Sequence, residues 1–301
     1  MFYICSFEVA VPTQLNFAHA DTEKKLQAVQ SYLERFLQVM SNQIYAETVY
    51  IDAFAGSGTI PFPEGGELLK TLIDADEFAV GSALRAINLK RRFSKYIFIE
   101  KSRQKLNELD EMVRKQNDPP QNVEFICGSA NEELLRLCPM LKKSNVRAVV
   151  FLDPFGNQVD WWTLDALAQT HHVDLWYLFP AMLGVYRQIG NEHAKMTPEQ
   201  VASLNSLFGP HDWKNAFIKR EEKQDLFGPN EHDVKVADVN DITRFKIECL
   251  ETIFKGGVLK RWLPLGRNNA HWYSLIFAMA NPSANAKKAG HAIADHIMTN
   301  S

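Results

Sequence analysis

Two short motifs in this chain combine the residue types and spacing of a ligand-binding site. The first, Asp52-x-Phe54-x-Gly56-x-Gly58, lies at the end of a predicted buried strand, Glu47–Phe54. Glycines at these positions let the backbone turn tightly and approach a ligand, and open α/β sheets bind ligands at the carboxyl ends of their strands. The spacing lacks the third glycine of G-x-G-x-x-G, so it predicts neither a dinucleotide site nor a phosphate-binding loop. It indicates a cofactor site of another kind, and the alternative is a turn that only joins a strand to a helix.

The spacing of this motif resembles the first motif of class I S-adenosylmethionine-dependent methyltransferases. In that family the glycine turn approaches the amino-acid half of the cofactor. The resemblance therefore implies that Asp52, Phe54, Gly56 and Gly58 hold the methionine end of S-adenosylmethionine. Ser82 is a candidate N-cap for the helix that follows.

Polar residues also end the next two predicted strands. Glu100 closes the strand Lys95–Glu100, where an acid typically accepts hydrogen bonds from ribose hydroxyls in nucleoside-binding sheets; the alternative is an exposed strand-end glutamate. Many class I methyltransferases have an aspartate that reaches the adenine amine after the third strand, and this chain has Ser129 there. Two readings stay open: Ser129 or Asn131 replaces that aspartate, or the segment only caps a helix predicted at Glu132–Leu141.

The second motif, Asp153-Pro-Phe-Gly156, follows the continuous apolar strand Arg147–Leu152. It resembles the Asp-Pro-Pro-Tyr motif of methyltransferases that act on exocyclic amines. There the carboxylate and a backbone carbonyl hold the amine, and the aromatic ring stacks on the base, which is worth ~1–3 kcal/mol. The resemblance makes Asp153 and Phe155 candidate catalytic residues, and Asp153 also a cofactor-binding candidate. Since Gly156 stands at the tyrosine position, the stacking ring is one of three aromatic side chains, Phe155, Trp161 or Trp162, or no nucleobase is bound.

Helical and strand patterns alternate along the chain around these motifs. Apolar residues at helical spacing predict a first helix, Asp21–Met40. Asp21 or Thr22 is expected to cap it. Lys24 and Lys25 in its first turn are expected to be solvated, as charged helix residues usually are, and the alternative is that they face a site. Five predicted strands then alternate with helices, and two more strands form a C-terminal antiparallel hairpin. We predict an α/β fold: a Rossmann-like, mostly parallel, doubly wound sheet of the class I methyltransferase type.

The predicted elements form one domain, 1–301, with an N-terminal helical extension at 1–46 and a helical insertion at 191–240. Two helices are expected in the insertion, Pro198–Leu207 and His211–Arg220. An insertion after the fifth strand is expected to cover the carboxyl edge of the sheet as a substrate lid. The alternative is a helical decoration without a role in the site.

The composition narrows the possible partners and location. The net charge of −3 predicts no strongly basic face for nonspecific nucleic-acid binding. The four cysteines have no C-x-x-C spacing, which excludes zinc ribbons, and no metal site is predicted. No apolar run reaches the ~18 residues that span a bilayer. These features predict a cytoplasmic protein with reduced thiols and no membrane contact.

The combination of motifs resembles one family in particular, the three-Cys-motif partner proteins (TcmP). The matching segments are Thr22-Glu-Lys-Lys25, Tyr50–Gly56, Gly81-Ser-Ala-Leu84, Phe98-Ile-Glu-Lys101, Phe151–Gly156 and Trp272–Phe277. They run from residue 22 to the C-terminus, and the combination is specific although each piece alone is not. The resemblance implies a class I methyltransferase fold and a companion protein that carries three cysteines.

Three functions are consistent with these residues. The first is an S-adenosylmethionine-dependent methyltransferase that acts on an unidentified acceptor, with an amine of a nucleobase in RNA or DNA as the leading candidate. The second is a methyltransferase-like scaffold without turnover that serves a partner protein. The third, a metal-dependent nuclease using Asp52, Glu100 and Asp153, is weak because no histidine stands beside these acids.

Overall fold

The computed structural model describes residues 13–43, 46–60, 79–190, 196–225, 228–266 and 270–301. The strands are β1 (Glu47–Asp52), β2 (Thr59–Ile60), β3 (Ala79–Val80), β4 (Lys95–Glu100), β5 (Val123–Cys127), β6 (Val146–Leu152), β7 (Val173–Phe179), β8 (Ile218–Asp225), β9 (Gly228–Lys235), β10 (Gly257–Val258), β11 (Leu263–Leu265) and β12 (Tyr273–Met279). The helices are α1 (Thr13–Met40), α2 (Ser82–Ile87), α3 (Arg103–Arg114), α4 (Ala130–Leu141), α5 (Trp161–Ala168), α6 (Arg187–Ile189), α7 (Pro198–Phe208), α8 (Trp213–Phe217), α9 (Val239–Ile253) and α10 (Ala284–Asn300), and a π-helical turn, Ala181–Tyr186, precedes α6.

A central sheet carries the fold, with the strand order β10-β12-β7-β6-β1-β4-β5 and β11 paired to the same edge of β12. Five strands, in the sheet order β7-β6-β1-β4-β5, are each parallel to their neighbours. The strand β12 pairs with β7 in the antiparallel direction. The C-terminal hairpin forms as predicted, because β11 pairs antiparallel with β12. The predicted fold class, a mostly parallel, doubly wound, Rossmann-like sheet with this hairpin, is confirmed.

Helices cover both faces of the sheet, and the alternation of residues along β1 shows the two cores. Val49 and Ile51 face a core formed with α4, α5, α7 and α9. Tyr50 faces a second core formed with α1, α2, α3 and α10. Burial on both faces explains why the parallel strands are continuous apolar runs.

The first helix begins earlier than predicted. It starts at Thr13 instead of Asp21, so Asp21 and Thr22 lie inside the helix, and the prediction that one of them caps it is wrong. The carboxylate of Asp21 instead accepts a hydrogen bond from the backbone N–H of Gly266, at 3.0 Å. It therefore ties α1 to the end of β11.

The segment 196–240 is only partly helical. As predicted, α7 begins with Pro198 as its first residue and with a capping box between Thr197 and Gln200. The helix predicted at His211–Arg220 is wrong after Phe217, because β8 and β9 pair there as an antiparallel hairpin. The strand β8 reads IKREEKQD and offers no apolar residues at helical spacing that could join the core. The division into one domain with an extension and a lid remains a prediction.

Two glycines have similar backbone geometry but different surroundings, so we predict that their substitution by alanine costs different amounts of stability. Gly209 (φ +60°) and Gly190 (φ +64°) lie in a region where side chains are strained, which costs about 1–3 kcal/mol. A Cβ atom at Gly209 would also lie 2.2 Å from Cδ1 of Trp161, whereas the space at Gly190 is open among the described residues. Gly209→Ala is therefore expected to lower the free energy of unfolding by about 3–5 kcal/mol, as strain and overpacking add. Urea denaturation measures the change.

The matched control is Gly190→Ala, for which we expect a loss of about 1–3 kcal/mol from strain alone. Equal losses in the two variants would contradict the contact between Gly209 and Trp161.

Within the described ranges, no helix is both long and apolar enough to cross a membrane. The cysteines Cys127, Cys138 and Cys249 are free thiols, and the last two are buried.

Candidate active site

The candidate site lies where the strand order of the sheet reverses. The first strand of the sheet, β1, has β4 on one side and β6 on the other. Ligands of open α/β sheets bind at the carboxyl ends of the strands at such a switch point. Asp52 ends β1, Glu100 ends β4 and Asp153 follows β6. Because these strands are parallel, the structure brings the three predicted acids to one edge.

The glycine turn after β1 has the tight geometry that its sequence predicts. Gly56 and Gly58 have φ angles of +63° and +85°, which other residues rarely adopt. A Cβ atom at Gly58 would lie 2.8 Å from Cδ1 of Leu109 on α3, whereas the corresponding space at Gly56 is open among the described residues. Gly58 therefore packs against the protein, whereas a side chain at Gly56 would meet no described atom.

Glu100 is joined directly to this turn. One carboxylate oxygen accepts a hydrogen bond from the backbone N–H of Gly56 at 3.1 Å, and the other accepts one from the N–H of Ser102 at 2.8 Å. The side chain is half-buried. Gly56, predicted to hold the methionine end of the cofactor, and Glu100, predicted to hold its ribose, thus form a single unit.

Asp52 lies beneath the turn and is fully buried. Its oxygens accept hydrogen bonds from the backbone N–H of Phe54 at 3.2 Å and from the hydroxyl of Ser82 at 2.5 Å. Gly81, and not Ser82, is the N-cap of α2, so the prediction of Ser82 as a cap is wrong. Burial raises the pKa of Asp52 to about 7, an effect that these two hydrogen bonds oppose. The carboxylate of Asp52 supports the turn from below. It can affect a ligand only through the position of the turn or through its own charge.

Asp153 forms an ion pair with Lys25, whose Nζ atom lies 2.5 Å from Oδ2 of Asp153. The expectation that Lys25 is solvated is wrong, because its side chain is only 11% exposed. Lys25 precedes Val29 and Tyr32 at helical spacing, so it lies on the buried face of α1. That spacing was the available signal for its position. Burial, and next the charge of Asp153, raise the pKa of Tyr273 at the start of β12, which adds this ring to the site.

The structure reduces the choice of stacking rings. Phe155 is 83% exposed and Trp162 is 64% exposed, whereas Trp161 is 2% exposed within the core. Trp161 is therefore excluded as a stacking surface. Phe155 follows Asp153 by two residues, and its backbone N–H donates to Oε1 of Gln158 at 3.0 Å, which fixes the loop that presents the ring.

Ser129 and Asn131 have different roles after β5. The helix α4 begins at Ala130, before the predicted Glu132, with Ser129 as its N-cap, and the Ser129 side chain makes no capping hydrogen bond. Asn131 instead links the loop after β6 to α4. Its amide donates to the carbonyl of Gln158 at 2.9 Å, and its Oδ1 accepts from the N–H of Asp160 at 3.1 Å. Of the two, Ser129 remains the candidate for contact with a ligand.

A metal site does not form from these acids. In the parts of the chain that the structure describes, no group of three or more His, Cys, Asp or Glu side chains could hold a metal ion. Asp52 and Asp153 instead engage a hydroxyl and an ammonium group.

Comparisons with known proteins give similarity in fold only. No family model matches the chain, so the resemblance to the three-Cys-motif partner family is not confirmed. No curated protein sequence matches it either. Among solved structures, a Legionella pneumophila protein of the family DUF519 is similar at 14% identity and a TM-score of 0.40, over 78% of this chain and 92% of that one.

Two further structures are titled as methyltransferases. An S-adenosylmethionine-dependent methyltransferase from Clostridium acetobutylicum matches at 13% identity and a TM-score of 0.34, over 88% of this chain and 94% of that one. The magnesium protoporphyrin IX methyltransferase from Synechocystis, with bound SAH, matches at 12% identity and a TM-score of 0.30, over 74% and 88%. At these identities and TM-scores the similarities carry no conclusion about activity. The sheet and its edge define a Rossmann-like α/β protein with a candidate ligand site at the switch point, and the chemistry of that site has to follow from its residues.

Proposed function

We propose that this protein is an S-adenosylmethionine-dependent methyltransferase whose acceptor is an amine of a nucleobase in RNA or DNA. The observation that carries the proposal is the unit formed by Gly56 and Glu100 at the switch point, with Asp153 across it, directly after β6. In this arrangement a nucleoside-binding half and an acceptor-binding half would lie on either side of β1.

The residues of the turn fit the proposed cofactor. Among the described residues the space above Gly56 is open, which supports access of a ligand to the turn, and the half-buried carboxylate of Glu100 would accept hydrogen bonds from ribose hydroxyls. Phe54 and Gly58 would line the methionine end, and Ser129 the base. When bound, S-adenosylmethionine supplies an electrophilic methyl group. The buried charge of Asp52 would favour the positive end of such a ligand.

The acceptor half consists of Asp153, Lys25 and Phe155. An acceptor amine would donate its N–H to a carboxylate oxygen of Asp153, which directs the nitrogen lone pair away from the carboxylate and towards the turn. Lys25 would bind the other oxygen of the same carboxylate, and the exposed ring of Phe155 would stack on the base. Most of the rate enhancement would come from this positioning of the acceptor in line with the methyl group.

One observation favours a second candidate, the scaffold without turnover. Lys25 already occupies the carboxylate that the acceptor would need, and Gly156 replaces the ring of the resembled motif. Such a scaffold would serve a three-cysteine-motif companion, as the resemblance to TcmP implies, and a cytoplasmic location belongs to either proposal. Methyl transfer from labelled cofactor to RNA or DNA, lost in Asp153→Asn, would exclude the scaffold. Cofactor binding without transfer to any nucleic acid would support it.

The cofactor half is tested by calorimetric titration with S-adenosylmethionine and S-adenosylhomocysteine. We expect micromolar binding, about −8 kcal/mol. Glu100→Gln is expected to weaken it about 10- to 100-fold, because hydrogen bonds to a charged group contribute about 1.5–3 kcal/mol. Glutamine retains one oxygen for the N–H of Gly56 but gives up the hydrogen bond from the N–H of Ser102.

The control is Glu108→Gln, which changes the same kind of side chain at an exposed position on α3. The affinity of the Glu108 variant for both ligands should equal that of the natural chain. Absence of binding to both ligands, or equal binding by the Glu100 variant, would contradict the proposed cofactor site.

A further inference from the structure

The loop after β6, residues 154–160, is fastened to two other elements through Asn157. We propose that Asn157 is a positioning residue of the acceptor site, and that it makes α7 a fixed wall behind the Phe155 loop, in contrast to a mobile lid. This inference deepens the proposed function and rests on it for the role of Phe155.

Asn157 bridges the loop to the π-helical turn and to α7. Its Nδ2 atom donates to the carbonyl of Gly184 at 2.6 Å and to the hydroxyl of Ser203 at 3.1 Å. A Cβ atom at Gly184 would lie 2.1 Å from Oδ1 of Asn157, so a glycine is needed for this approach. π-Helical turns are rare in proteins, and those that occur often lie at functional sites.

The amide oxygen of Asn157 indicates that this arrangement is specific. Among the described residues, Oδ1 is buried without a hydrogen-bond partner. An unpaired buried acceptor is costly, so the orientation has to be held by the two donated hydrogen bonds and by the surrounding shape. The side chain thus has a fixed position in a loop that carries an 83% exposed aromatic ring.

Further contacts attach the same part of α7. The hydroxyl of Ser206 donates to Oδ1 of Asp160 at 2.5 Å, at the end of the loop. The ammonium group of Lys246 on α9 donates to the carbonyl of Leu207 at 2.7 Å. Together with the contact of Ser203, these contacts hold the C-terminal half of α7 against the loop and against α9. A lid that opens as a unit would have to break all of them.

Hydrogen exchange measured by mass spectrometry tests the inference on the full chain. In Asn157→Ala and in Ser203→Ala, we expect exchange of the segments 155–159 and 198–208 to accelerate together, about tenfold, while β1, β6 and α3 keep their protection. Ser203→Thr retains the hydroxyl and is expected to restore slow exchange. Asn107→Ala, at an exposed position on α3, is the control and should change nothing.

Each outcome decides the inference. Acceleration that is confined to one of the two segments, or fast exchange of 198–208 in the natural chain, would overturn the fixed wall. Uniform acceleration of exchange across the sheet would show that Asn157 only contributes to overall stability. That result would also overturn the inference. Affinity for S-adenosylhomocysteine should stay within twofold in all variants, because Asn157 does not contact the glycine turn. If the natural chain binds no cofactor, the proposed function fails. The exchange data would still show whether α7 is a fixed wall.

Discussion

Lys246→Met is expected to raise the free energy of unfolding by about 2–4 kcal/mol at pH 7, because a buried charge without an ionic partner is replaced by an apolar side chain of similar length. Lys246 is fully buried, and among the described residues no carboxylate forms an ion pair with it. Its polar contact is the carbonyl of Leu207. The rings of Trp161 and Phe208 lie 5.3 and 5.5 Å from Nζ, and they compensate only part of the lost hydration.

The effect depends on pH, with a sign that follows from the pKa. Burial lowers the pKa of Lys246 from 10.5 to about 7. Between these two values the unfolded chain binds a proton that the folded chain does not, so the stability of the natural protein rises with pH in this window. The penalty that methionine removes is largest below pH 7 and fades towards pH 10. The gain in Lys246→Met should therefore be smaller at pH 9.5 than at pH 7, and it should vanish only above 10.5, the pKa of the lysine in the unfolded chain.

Urea denaturation at pH 7.0 and 9.5 measures both the gain and its pH dependence. Lys288→Met, an exposed position on α10, is the matched control and is expected to stay within about 0.5 kcal/mol at both pH values. The groups that face Lys246 titrate outside this window. Burial lowers the pKa of His211 below its usual 6.5 and raises the pKa of Cys249 to about 12. A loss of stability in Lys246→Met that is equal at both pH values would show that the hydrogen bond to Leu207 outweighs the charge penalty.

The sequence could locate the site because the order of parallel strands alone determines which residues share an edge. Asp52, Glu100 and Asp153 follow three apolar runs, and parallel pairing brings the ends of those runs together. The limits of β7, Val173–Phe179, were also predictable. Its residues are apolar except for Asp174, and a proline follows the strand.

The contacts that complete the site depend on how helices rotate against the sheet, which a local pattern does not determine. Lys25 reaches Asp153 across 128 residues of sequence, and the usual preference of lysine for solvent predicts the opposite. Ser82 has the residue type of a helix cap, but the buried carboxylate of Asp52 competes for its hydroxyl. The β8–β9 hairpin was not predictable from apolar alternation, because its strands are charged and do not join the central sheet.

Binding of S-adenosylmethionine is expected to strengthen about tenfold between pH 6 and pH 8, if only the form with an ionised Asp52 binds well. Burial raises the pKa of this carboxyl group to about 7, so it is mostly neutral at pH 6 and mostly charged at pH 8. A positively charged ligand above the turn favours the charged form, and binding near pH 7 should therefore release a proton. Titrations in two buffers with different ionisation enthalpies measure that release directly. S-adenosylhomocysteine, which lacks the positive charge on sulfur, should show a weaker dependence.

Asp174 provides an unusually close control, because it is a second buried aspartate whose pKa burial raises to about 7. It lies at the start of β7, at the end of the parallel strands that is opposite to the candidate site, and it accepts a hydrogen bond from the hydroxyl of Tyr32 at 2.7 Å. Asp52→Asn should abolish the pH dependence of binding, whereas Asp174→Asn should preserve it even if it alters stability. If Asp174→Asn removed the dependence instead, the proton would be linked to the folding of the sheet and not to the ligand. The charge beneath the glycine turn would then have no part in recognising the cofactor.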